Sequence, residues 1–95
     1  VYQELAARLD LLFHRAKDTL VEKEEIYGGS WKQRGGIGAF MMLARKFDRI
    51  EVAARRCSFD IFKAVKDEPG LLDDIQDLRN YLTLVEDEVT NGNEQ

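Results

Sequence analysis

Ninety-five residues set the scale of one domain, expected to bury roughly 60–65% of the surface of its unfolded chain. Hydrophobic content of 44%, charge of 34% and a single proline describe a helix-rich soluble chain, and a net charge of −4 argues against general DNA binding, which needs a basic face. One cysteine, Cys57, excludes an internal disulfide, and no run is apolar enough to span a bilayer. No signal peptide is visible, so a cytoplasmic setting is expected.

The expected fold class is all-α: a helical bundle of three main helices with a Gly-rich loop between the first two. The first helix covers 1–26. Tyr2, Leu5, Leu9, Leu12, Phe13, Ala16 and Leu20 recur on one stripe, with His14 opposite and solvated. Glu22, Glu24 and Glu25 crowd its C-terminal end, where negative charge opposes the macrodipole. Gly28 is placed to cap it.

The loop 27–36 follows. Between Tyr27 and Gly38 lie five of the seven glycines and the only tryptophan. Glycine permits close backbone approach, Lys32 and Arg34 attract anions, and Trp31 offers a flat face for stacking. One reading is a loop that receives a phosphorylated ligand, with Tyr27, Ser30, Trp31, Lys32 and Arg34 as its contacts. The other is a helix connector whose Trp31 plugs a gap in the core. The spacing is neither that of a P-loop nor that of a dinucleotide fingerprint.

A second helix is expected over 37–58. Leu43, Phe47, Ile50 and Ala54, with Phe40 beside them, form an apolar line. A second line, Ile37, Met41, Ala44, Asp48, Glu51 and Arg55, starts apolar and turns charged halfway. Arg45, Lys46, Arg49 and Arg56 fall on the outer faces. Residues 59–68 read as a short helix or an extension of the second, ended by Pro69-Gly70. The last helix, 71–89, has Leu71, Ile75, Leu78, Leu82, Val85 and Val89 as its core stripe, with Asp74, Asp77 and Tyr81 at the edge. A polar tail covers 90–95.

Each long helix carries acids at i and i+3: Glu22 and Glu25, Asp48 and Glu51, Asp74 and Asp77. Each pair shares one helical face. If the three pairs converge, their repulsion calls for a hard cation, and Mg²⁺ suits oxygen ligands and bridges phosphates. Such a centre activates water against a phosphoanhydride, with Lys46 and Arg49 as further phosphate contacts. The competing reading makes these acids solvated salt-bridge partners of the nearby cations, Arg49 among them.

Three blocks carry a resemblance: Glu25-Ile26-Tyr27-Gly28-Gly29-Ser30-Trp31, Leu43-Ala44-Arg45-Lys46-Phe47-Asp48-Arg49-Ile50 and Asp73-Asp74-Ile75-Gln76-Asp77-Leu78-Arg79-Asn80-Tyr81. In this order, across about Glu22 to Leu84, they resemble the nucleotide modification associated domain family, type one. The resemblance implies a bacterial or phage-encoded protein linked to nucleotides or modified bases. The acid pairs are also similar in spacing to all-α NTP pyrophosphohydrolases of the MazG and dimeric dUTPase type. That similarity implies Mg²⁺ and a homo-oligomer, although Asp74-x-x-Asp77 replaces the Glu-x-x-Asp of those enzymes. The functional expectation is a nucleotide-binding helical protein with Mg²⁺-dependent pyrophosphohydrolysis as its possible chemistry. The alternatives are a non-catalytic phage sponge for a nucleotide defence signal and a protein-interaction module anchored by Trp31.

Overall fold

The computed structural model describes residues 1–92. The described chain is all-helical: α1 (Tyr2–Tyr27), a 3-10 turn (Ser30–Lys32), α2 (Gly35–Arg55), α3 (Ile61–Asp67) and α4 (Leu71–Asn91). No strand occurs among the described residues, and none of their helices is long and apolar enough to cross a membrane. The chain divides into two compact units, Val1–Ser30 and Trp31–Gln95.

The first unit is α1. It runs one residue beyond the expected end and stops at Gly28, whose φ of 57° is left-handed and whose N–H donates to the Glu24 carbonyl at 2.8 Å. This is the cap that its glycine predicts. His14 Nε2 lies 3.5 Å from Asp18 on the solvated side, one turn away.

In the second unit α2 packs chiefly on α4, and α3 closes the corner between them. Its core joins Ala53, Ala64 and Leu71, flanked by the half-buried Ile50, Cys57, Ile61 and Val65. The small side chain at Ala64, wholly buried, lets α3 sit close to its neighbours. Several positions on the expected apolar stripes stay open: Phe40 and Phe47 on α2, Leu82 and Val89 on α4. Periodicity identifies the apolar face of a helix. The unit is too small to cover every one of those faces from within.

The region 56–70 is the main departure from the expected boundaries. Helix α2 ends at Arg55 rather than 58, because the chain turns through two consecutive left-handed residues, Ser58 (φ 55°) and Phe59 (φ 65°). Phe59 N–H donates to Ala54 O at 2.8 Å and Ser58 N–H to Arg55 O at 3.3 Å. This is the paired hydrogen bonding of a Schellman ending, with serine where glycine is usual. Asp60 then starts α3 as a separate helix, its Oδ1 accepting from Phe62 N–H and Lys63 N–H at 3.1 and 3.2 Å. A cap of this kind contributes about 1 kcal/mol. A left-handed non-glycine residue costs on the order of 1 kcal/mol, so Ser58→Gly is expected to stabilise the chain by about that amount. Thermal or urea unfolding checks this, and a loss of stability would show that the Ser58 side chain supports the turn.

Helix α4 starts at Leu71 as expected, with Asp73 and Asp74 in its first turn, where negative charge is favoured. It continues to Asn91, two residues past the expected end. The remainder of the expected tail, 93–95, lies outside the described residues.

Candidate functional site

The glycine-rich connection builds an apolar groove. Trp31 is buried in its 3-10 turn at 8% exposure, which agrees with the core-plug role, and it also lines a groove of about 450 Å³ between α2 and α4. From α2 come Gly35, Gly36, Ala39, Phe40 and Leu43. Spacings of three and four residues set these on neighbouring turns of one side of the helix. Val85, Glu88 and Val89 of α4 form the other wall. Lys32 lies at the lip, its Nζ 2.6 Å from Glu88 Oε1. Helix α2 opens without a side-chain cap and without an acid in its first turn. Its first N–H groups therefore keep their partial positive charge beside the groove.

Arg34 leaves Lys32 and turns the other way. A Cβ added at Gly38 would sit 2.8 Å from Arg34 Cβ, so the arginine stem lies over Gly38, off the groove-lining side of α2. Glycine at 38 is what lets it lie there. The two loop cations thus serve different faces.

The acids of α2 and α4 meet cations. Lys46 Nζ lies 3.0 Å from Asp77 Oδ2 and 3.8 Å from Asp74 Oδ1, and Arg49 Nε lies 3.1 Å from Asp74 Oδ1. Lys46 and Asp74 are largely enclosed, with side-chain exposures of 17% and 13%. Lys46 therefore faces α4 rather than solvent, a correction to its expected outer position. Arg49, with a side chain 56% exposed, keeps that position while reaching Asp74. Glu51 pairs one turn on with Arg55 at 3.3 Å. Asp48 is exposed and, with Arg49, Arg56, Glu68 and Asp74, lines a shallow charged cavity of about 630 Å³ over Val52, Ala53 and Leu71. Arg56 and Glu68 are joined across it at 2.9 Å.

The sequence candidates are thus distributed over several places. Tyr27, Ser30, Glu22 and Glu25 belong to the first unit. Trp31 and Lys32 line the groove, Arg34 faces away from it, and Lys46, Arg49, Asp74 and Asp77 form one ion-pair network. Asp74 and Glu88 are fourteen positions apart on α4, about 21 Å along a helix, so the network and the groove are separate places. Within either unit, no three described His, Cys, Asp or Glu side chains gather closely enough to hold a metal ion.

Two groups escaped the sequence reading. Glu88 belongs to none of the i, i+3 pairs, yet it continues the line Asp77, Tyr81, Leu84 at helical spacing, which is the signal that would have found it. The other is the cluster Cys57, Lys63 and Asp67. Asp67 Oδ2 lies 2.8 Å from Lys63 Nζ and 3.7 Å from Cys57 Sγ. The Lys63 hydrogen bond lowers the Asp67 pKa. Desolvation, and then the Asp67 charge, push the Cys57 thiol above its ordinary 9.0. The raised pKa leaves Cys57 with a smaller thiolate fraction than a free cysteine has at any given pH, and the thiolate is the nucleophile. Iodoacetamide is therefore expected to alkylate it more slowly than a free cysteine at the same pH, and Asp67→Asn to speed the reaction. Equal rates would contradict the assignment.

No protein-family model, curated protein or solved structure matches the chain.

Proposed function

We propose that this chain binds a nucleotide-type ligand, an aromatic ring bearing phosphate, in the groove between α2 and α4, and holds it without turning it over. One observation carries this reading. The uncapped start of α2 and the Lys32 ammonium open onto an apolar groove walled by Trp31. Its volume of about 450 Å³ lies within the size range of small-molecule pockets, and its lining is the usual mixture of apolar walls with a few polar groups. The ring would enter between Phe40, Leu43 and Val85 against the indole. The phosphate would rest at the lip, on Lys32 and the N–H groups of Gly35 and Gly36, where a helix N-terminus favours anions.

Retention is preferred to Mg²⁺-dependent pyrophosphohydrolysis because of the pairing on α2 and α4. Converging carboxylates demand a metal when nothing else offsets their charge. Lys46 and Arg49 already offset Asp74 and Asp77. This favours the ligand-sequestering alternative raised by the sequence.

Glu88 provides the sharpest test. It shares Lys32 and places negative charge beside the proposed phosphate position. Glu88→Gln is expected to tighten binding of a nucleoside triphosphate several-fold, read by titration calorimetry in EDTA. Weaker binding by this variant would show that the groove prefers a neutral or cationic guest.

A further inference from the structure

The open face of α2 has a pattern that the groove touches only at Phe40. Ile37, Phe40, Met41 and Phe47 are large apolar residues with exposures of 82%, 61%, 57% and 53%. Their spacing, with Ala44 between them, keeps them within one third of the helix circumference. Arg34 precedes this stripe, and Asp48 and Glu51 follow it on the same face. Read along the helix the order is cation, apolar, acid, closed by Arg55, which meets Glu51 of its own chain at 3.3 Å.

We infer that this stripe is the contact between two copies of the chain, packed antiparallel about a two-fold axis between Met41 and Ala44. The pattern is complementary to itself in that arrangement alone. The Ile37 end of one α2 meets the Phe47 end of the other, and each Arg34 falls beside Asp48 and Glu51 of the second copy. A parallel pair would set arginine against arginine and acid against acid. A two-fold contact uses one patch twice, which is what a single stripe provides. The apolar surface is adequate for a standing contact. At their observed exposures, the four phenylalanine rings of two copies supply roughly 450 Å². That is more than a third of the roughly 1,200 Å² buried by the smallest stable interfaces, before Ile37 and Met41 are added. The contact also explains why Arg34 is directed off the groove over Gly38, which a purely phosphate-binding loop would not require. It depends on no ligand.

Sedimentation of the full chain tests the inference. The 11.0 kDa protein is expected to sediment at twice that mass. Met41→Glu should give monomer with unchanged helical circular dichroism, and Met41→Ala should weaken the dimer without abolishing it. Arg34→Glu should weaken it at least ten-fold at low salt, and the reciprocal pair Arg34→Glu/Glu51→Lys should restore it. A monomeric wild type at high concentration overturns the inference, because the stripe is then covered within the chain or kept for another partner. So does a dimer that tolerates Met41→Glu, or a charge reversal that no reciprocal change repairs.

Discussion

Leu71→Ala should lower the stability of the chain by about 2–5 kcal/mol, the usual cost of a large-to-small change in a core. Leu71 is 5% exposed and is the largest member of the buried cluster that it forms with Ala53 and Ala64. It also opens α4, directly after Pro69-Gly70, so its neighbours come from α2, α3 and the start of α4. The two alanine partners are too small to fill the space it would leave. A domain of this length has a total stability of roughly 5–14 kcal/mol, so the loss is a large share of it. Urea unfolding followed by circular dichroism measures it. A cost below about 1 kcal/mol would mean that the α2–α3–α4 corner is not where the fold is held.

The second large effect is expected at Asp74. Its largely enclosed carboxylate accepts Arg49 at 3.1 Å and lies 3.8 Å from Lys46. Asp74→Ala leaves Lys46, itself only 17% exposed, with Asp77 at 3.0 Å and takes from Arg49 the carboxylate it meets at 3.1 Å. Removing one partner of a fully buried pair costs about 3–5 kcal/mol, and exposed pairs are worth about 0–1. A half-enclosed network with an exposed arginine falls between these, at about 1–3 kcal/mol. Arg49→Met in the same chain should recover part of the loss, because it removes the cation that has lost this carboxylate and keeps an apolar stem. The double-mutant cycle isolates the coupling. Additive losses would show that the acids and cations stand close without acting on one another.

Helical content was legible because the signals were local. Gly28 announced its left-handed cap, Pro69-Gly70 announced a break, and Asp73 and Asp74 marked a first turn. The end of α2 was not legible. Ser58 and Phe59 adopt backbone angles that neither residue type advertises, and the apolar spacing of Phe59, Phe62 and Val65 pointed to a helix across the turn. Asp60 was a readable cap placed inside that misleading stretch.

The site was legible in composition and not in geometry. An unusual density of glycine, indole and cations marked the loop, and the groove does begin there. What sequence cannot supply is direction. Lys32 and Arg34 are two residues apart and serve different faces, because one lies in a 3-10 turn and the other crosses Gly38. Regular acid spacing suggested convergence on a cation. The cations that meet Asp74 and Asp77 came instead from α2. The competing salt-bridge reading already contained that pairing for Arg49.

The most direct measurement is a titration of the wild-type chain with nucleoside triphosphate in EDTA, following the fluorescence of its only tryptophan. Saturable quenching is expected without metal, retained in Asp74→Asn and Asp77→Asn, and lost in a Lys32→Glu variant that still unfolds at the wild-type temperature. No saturable signal, or binding that appears only with Mg²⁺ and disappears with Asp74→Asn, would contradict the account and return the ligand to the carboxylates.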